Sequence, residues 1–140
     1  MIKKRRPMSS DSEPQVQVID SGVNHKKLAL IKGKGTAFAV LWPGNGARFR
    51  TMQILQMEAG DETIDLRHPH DCVYYVSNGA GQVRDLSSGA AQDLIEGSIV
   101  HIDARDGYRI EAGADGMRMV GGPVPADPEL YASLTAEFAQ

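Results

Sequence analysis

Disulfides are excluded at the outset: the 140 residues contain a single cysteine, Cys72, whereas a small secreted scaffold stapled by bridges needs cysteines in pairs. A lone thiol fits a reducing cytoplasm, and that is the expected location. Long apolar runs are missing too, since nothing approaches the roughly 18 residues that cross a bilayer as a helix. The opening Met1-Ile2-Lys3-Lys4-Arg5-Arg6-Pro7 is charged with no apolar stretch behind it, which argues against a secretory leader and against a membrane partner. Nor does one sign of charge dominate. Fifteen basic residues face 18 acidic ones for a net −3, and the basic excess is confined to the start. Residues 1–14 hold Lys3, Lys4, Arg5 and Arg6 against Asp11 and Glu13, a local +2, which leaves −5 on residues 15–140. An acidic body repels phosphate, so nucleic acid is not an expected partner. Residues 1–14 read as a solvated, disordered tail.

What is present is 41% apolar residues, enough at this length for one domain with a core. β-prone segments at 16–19, 28–31, 37–42, 51–57, 73–76, 98–102 and 117–120 are separated by turn residues. Examples are Pro43-Gly44-Asn45-Gly46, Asn78-Gly79-Ala80-Gly81, Ser88-Gly89, Glu96-Gly97 and Gly113-Ala114-Asp115-Gly116. Turn signals roughly every 8 to 12 residues, with no helical periodicity between them, predict an all-β sandwich or barrel. It is expected to fill residues 15–122, and residues 123–140 then supply a stiff link and a short helix. Asp127 is placed to cap that helix, Pro128 suits its first turn, and Leu130, Leu134 and Phe138 recur every four residues as a packing stripe.

Chemistry concentrates in Leu66-Arg67-His68-Pro69-His70-Asp71-Cys72-Val73-Tyr74-Tyr75. Two histidines two apart on a strand share a face, and imidazole, thiolate and carboxylate are ligands for zinc, iron, nickel or copper. The competing reading is a pair of surface histidines at the edge of a turn shaped by Pro69.

Two spaced motifs make the chain resemble the cupins. The first motif of that family runs Gly, five residues, His, one residue, His, three or four residues, Glu, six residues, Gly. Here Gly60 is followed after five residues by Leu66, then Arg67, His68, three residues, Cys72, six residues and Gly79. The second runs Gly, five residues, Pro, one residue, Gly, two residues, His, three residues, Asn. Here Gly97 is followed after five residues by Asp103, then Ala104, Arg105, two residues, Tyr108, three residues and Ala112. Both spacings hold without an insertion, and the 17 residues between Gly79 and Gly97 suit a single-domain bacterial-type cupin. The resemblance implies a jelly-roll barrel, the double-stranded β-helix, with a short C-terminal helix.

It also implies four ligand positions, and the chemistry at them has changed. Leu66 replaces the first His, His68 is retained, Cys72 replaces Glu, and Tyr108 replaces the last His. No metal cofactor is therefore expected; the alternative, a divalent transition metal, would draw on His68, His70, Cys72 and Tyr108. By the family's inward positions, His68, Cys72 and Tyr108 converge in the bore with Leu66, and strand alternation adds Tyr74 while turning Val73 and Tyr75 away. The expected function is binding of a small organic molecule, with His68 and Tyr108 as acid–base groups of a metal-independent isomerase, cyclase or lyase. Two alternatives stay open: a metal-dependent dioxygenase, lyase or decarboxylase, and a non-catalytic binding or sensing barrel. Read structurally, His68 is a buried histidine, Cys72 a small hydrophobe and Tyr108 a core aromatic. The face of His101 is undecided, His25 is expected at the surface, and Arg48, Arg50 and Gln53 are possible bore residues, with Arg48 and Arg50 equally well read as an outer-face pair. The resemblance further implies a homodimer, through sheet packing or through exchange of the strand expected at Gln15–Ile19.

Overall fold

The computed structural model describes residues 16–23, 25–47, 49–132 and 134. The expected tail at 1–14, along with Arg48 and Phe138, lies outside the described residues. Among the described residues, nine antiparallel strands make one sheet that curls back on itself. Its spine is the pairing of two long strands, β6 (Cys72–Asp85) and β9 (Tyr108–Pro123). On one half of the spine, the end of β9 pairs with β4 (Met52–Met57), which carries β3 (Thr36–Leu41) and then β1 (Lys26–Leu28), while the start of β6 pairs with β8 (Ile99–Ile102). On the other half, the start of β9 pairs with β5 (Glu62–Thr63), β5 with β2 (Ile31–Lys32), and the end of β6 with β7 (Ala91–Leu94).

The expected all-β class holds, and the glycine strings explain the curl. Asn78-Gly79-Ala80-Gly81 and Gly113-Ala114-Asp115-Gly116 do not reverse the chain as turns; both lie inside the long strands and face each other across the spine. The register shifts there, from Gly79 opposite Met117 to Gly81 opposite Ala112. These are the extra residues of bulges, which bend a strand so that it serves both halves of the sheet. Gly79 has φ +78°, and a Cβ there would meet the Gly116 carbonyl oxygen at 2.3 Å; only glycine fits both the left-handed backbone and the space.

Other expectations need correcting. Residues 16–19 are not a strand, and Val16 and Val18 are exposed; β propensity without a paired neighbour does not make a strand. Residues 28–31 are not one strand but the end of β1 and the start of β2, which pair with different partners. The short β5 and β7 carry weak propensity and form because the spine offers them ladder partners. At the C-terminal end, Asp127 caps a 3₁₀ turn at Pro128–Tyr131 by accepting from the Glu129 N–H at 3.0 Å, and Leu130 and Leu134 are buried as expected. No helix among the described residues is long and apolar enough to cross a membrane.

Candidate active site

Alternation along β6 buries Cys72 and Tyr74 and turns Val73 and Tyr75 outward, as expected. Leu66 and Tyr108 are bridged backbone to backbone by two hydrogen bonds of 2.8 Å, Leu66 N to Tyr108 O and the reverse. That bridge sets the two motifs side by side. His68 is buried, and its backbone carbonyl accepts from Arg105 N at 2.7 Å. Leu66, His68, Cys72, Tyr74 and Tyr108 therefore do come together inside the barrel.

The polar atoms of the cluster form one continuous chain of bonds. His68 Nδ1 lies 2.7 Å from Asp127 Oδ2, and His68 Nε2 lies 2.7 Å from the Tyr108 hydroxyl. That hydroxyl is 3.3 Å from the Tyr74 hydroxyl and 3.7 Å from Cys72 Sγ. A carboxylate only accepts, so His68 Nδ1–H donates to Asp127 Oδ2; Nε2 then keeps its lone pair and accepts from the Tyr108 hydroxyl. Tyr108 in turn accepts from Tyr74 or Cys72. Burial pushes the Cys72 thiol up to about 12 and holds the Tyr74 and Tyr108 hydroxyls well above the ordinary phenol value. All three groups keep their protons at neutral pH.

Asp127 is the residue the motifs missed. It comes from the C-terminal segment, 59 positions from His68, and its two oxygens divide the work, Oδ1 on the Glu129 N–H and Oδ2 on His68. Tyr131 from the same segment is also buried; it donates to Gln53 Oε1 at 2.6 Å and packs on Trp42. Gln53 Nε2 donates to the Gly121 carbonyl, so this buried amide is used on both sides. The only prior signal was a capping aspartate ahead of an apolar stripe, and such a stripe must dock somewhere.

Several candidates fall elsewhere. His70 is exposed, separated from the buried His68 and Cys72. His101 points outward, its Nε2 2.9 Å from Asp103 Oδ1. His25 is half-buried against the Phe38 ring and not at the surface as expected. Of the three possible bore residues, Gln53 is buried, Arg50 is exposed, and Arg48 lies outside the described residues. The five residues expected to surround a ligand in the bore do not line an open cavity. Leu66, His68, Cys72, Tyr74 and Tyr108 are each at most 5% exposed, because two tyrosines fill bore volume. A cleft of about 410 Å³ opens instead between β7 and β8, floored by Val83, Leu94, Val100, Ile102 and Tyr108. Tyr108 is the residue common to the cleft and the buried cluster.

No protein-family model and no curated protein matches the sequence. Solved structures do match the fold. The polyketide cyclase RemF from Streptomyces resistomycificus superposes with a TM-score of 0.68 at 13% identity, over 81% of this chain and 82% of that one. A cupin-like protein from Thermotoga maritima gives 0.63 at 19% identity, over 69% and 73%. Ectoine synthase from P. lautus gives 0.58 at 20% identity, over 73% and 69%. The strand order, the bent spine and these likenesses define a jelly-roll barrel of the cupin type. The chain is a cupin by fold, as its motif spacing leads one to expect.

A metal centre at the four motif positions is a poor match to the donors present. Leu66 has no donor atom, Cys72 holds its proton, and both nitrogens of His68 are engaged at 2.7 Å. His70 is exposed and does not join the other three members of the alternative set. Among the described residues, no three His, Cys, Asp or Glu side chains converge as a metal-holding group.

Proposed function

We propose that the chain binds a small organic molecule in the cleft between β7 and β8 and moves a proton on it without a metal ion. The observation that carries this reading is the buried line Asp127–His68–Tyr108, two bonds of 2.7 Å ending on a residue of the cleft floor. The line has the logic of a carboxylate–imidazole–hydroxyl relay with a phenol as its last member. A proton leaving an acidic C–H or O–H of the ligand arrives on the Tyr108 oxygen as the Tyr108 proton passes to His68 Nε2. The imidazolium so formed is balanced by the Asp127 carboxylate. Because Tyr108 resists ionisation, the two transfers occur together and no free phenolate accumulates. Returning the proton to a different atom of the ligand completes an isomerisation; loss of a leaving group completes an elimination. The cleft sets apolar residues beside Arg84, Asp85, Asp93, Asp103 and Asp106, so it suits a ligand that pairs a planar or apolar body with polar, hydrogen-bonding groups. Two of the structural neighbours are a polyketide cyclase and an ectoine synthase, and chemistry on a small organic molecule is compatible with this reading.

The test is a thermal-shift screen of organic molecules, followed by product analysis on each hit with wild type, His68→Gln and Tyr108→Phe. Binding retained with turnover lowered by about 10²- to 10⁴-fold in both variants is the expected result. Turnover that persists in His68→Ala overturns the reading. A second reading, a non-catalytic binding barrel, is favoured by the near-complete burial of His68 and Tyr108. It predicts saturable binding with no product from wild type.

A further inference from the structure

Side chains opposite one another in antiparallel strands share a face. At the end of β6, Val83 lies opposite Ile110 and Asp85 opposite Tyr108, so a carboxylate shares the inward face with the tyrosine of the cleft floor. Asp93, Asp103 and Asp106 also line the cleft, and all four carboxylates are exposed. Against them stands one lining cation, Arg84, and its charge is already used. Its Nε and Nη2 donate to the two oxygens of Glu111 at 2.9 and 3.1 Å, and its Nη1 donates to the Gly89 carbonyl at 2.8 Å. Register turns it away as well, since Arg84 lies opposite Arg109 and Ala91 on the other face. Arg67 approaches Gly107 and donates to the Arg105 carbonyl, but neither Arg67 nor Arg105 lines the cleft.

The carboxylates keep acceptor capacity that the cation has lost. Asp85 Oδ1 accepts from the Ser87 N–H and hydroxyl at 2.8 Å each and from the Ser88 N–H at 3.4 Å, while no donor among the described residues reaches its Oδ2. Asp103 has the exposed His101 beside it, and among the described residues no donor reaches the carboxyl of Asp93 or Asp106. Nor do the four gather round one point as a metal-holding group. Negative charge spread along an open cleft with an apolar floor fits an organic cation and repels an anion. We propose that the ligand of this cleft is such a cation, a protonated amine or amidinium carried on a planar or apolar body. Its N–H groups lie on Asp85 and Asp106, and its body lies on the floor toward Tyr108. This rests on the cleft reading above: the line ending on Tyr108 makes the cleft a site, and the carboxylates set the charge of what enters it. The charge also serves the proton transfer, because a cation beside the bond that gives up its proton offsets the negative charge left behind.

The experiment is isothermal titration of the full chain near neutral pH with probes of matched shape. Benzylamine, 2-phenylethylamine and benzamidine are the cations, benzyl alcohol, 2-phenylethanol and benzamide their neutral partners, and benzoate and phenylacetate the anions. At least one cation is expected to bind at least about tenfold more tightly than its neutral partner, with the anions weakest. Raising salt from about 0.05 to 0.5 M should weaken that cation by at least about threefold and leave the neutral partner unchanged. Asp85→Asn keeps an acceptor oxygen for Ser87 and Ser88 and removes only the charge; it should weaken the cation by at least about fivefold, as should Asp106→Asn. Asp115→Asn, which removes an exposed charge at the bulge in β9, should leave it unchanged. No cation binding below about 10 mM, cations no tighter than their neutral partners, an anion that binds best, or full affinity in both Asp85→Asn and Asp106→Asn overturns the proposal. Failure of the proton-transfer reading looks different. Cations that bind through Asp85 and yield no product with wild type uphold the charge assignment and sink the chemistry. A neutral or anionic hit that wild type turns over and Tyr108→Phe does not overturns the charge assignment alone.

Discussion

Replacing Asp127 by asparagine separates the two duties of that carboxylate. Asparagine caps a helix as well as aspartate does, so its carbonyl can keep the Glu129 N–H. The amide nitrogen then faces His68 Nδ1 and can only donate. Nδ1 must become an acceptor, the imidazole proton moves to Nε2, and Nε2 now donates to Tyr108. The hydrogen-bond line runs backwards, and His68 can no longer accept the Tyr108 proton. In stability, a charge-assisted bond worth about 1.5–3 kcal/mol becomes a neutral one worth about 0.5–1.5, a loss of about 1–1.5 kcal/mol. Asp127→Ala loses the bond and the cap together, about 2.5–4 kcal/mol. Urea denaturation measures both losses, and ¹⁵N chemical shifts of the imidazole report which nitrogen carries the proton. Asp127→Ala within about 0.5 kcal/mol of wild type, the range of ordinary surface changes, would show that the carboxylate does neither job. A His68 that keeps its proton on Nδ1 in Asp127→Asn would show that Asp127 does not set the direction of the line.

Three further outcomes follow from the same structure. Because burial holds the Cys72 thiol up to about 12, a small disulfide reagent should label native protein at least about 100-fold more slowly than protein in denaturant, and rapid native labelling would show the thiol to be accessible. Hydrogen bonds from Arg84, with Arg109 adding to them, hold the Glu111 carboxyl at about 2 against an ordinary 4.5. A lowered folded value stabilises above pH 4.5 and is lost as pH falls from there toward 2, so Glu111→Gln should flatten the acid limb of the urea midpoint against pH; an unchanged limb contradicts the linkage. Gly79→Ala drives a Cβ to 2.3 Å from the Gly116 carbonyl oxygen at a φ of +78°, and should cost about 2–4 kcal/mol in the same assay, where a near-neutral result would deny the bulge its role.

The motif spacing was enough to bring Leu66, His68, Cys72 and Tyr108 into one cluster, and strand parity was enough to add Tyr74. Both are periodic signals that survive the loss of the ligands themselves. Asp127 was visible only as a cap, because its contact with His68 arises when the C-terminal segment folds back over 59 positions, and no local pattern encodes that. The glycine strings misled because a chain reversal and a bulged bend ask for the same residues; what distinguishes them is that the two strings sit opposite each other. Residues 16–19 misled in the opposite sense, having β propensity but no ladder partner in this fold. The filled bore was hidden because replacing histidine by tyrosine at position 108 changes volume as well as chemistry, and volume is decided by how Tyr74 and Tyr108 pack together.

Acid–base chemistry on the Asp127–His68–Tyr108 line, as proposed, needs no ion. The decisive measurement is elemental analysis of protein purified without chelators, after addition of excess iron, nickel, copper or zinc and desalting. Metal far below one ion per chain in wild type, unchanged in His68→Gln, is the predicted result. One tightly retained ion per chain, lost in His68→Gln, would contradict it.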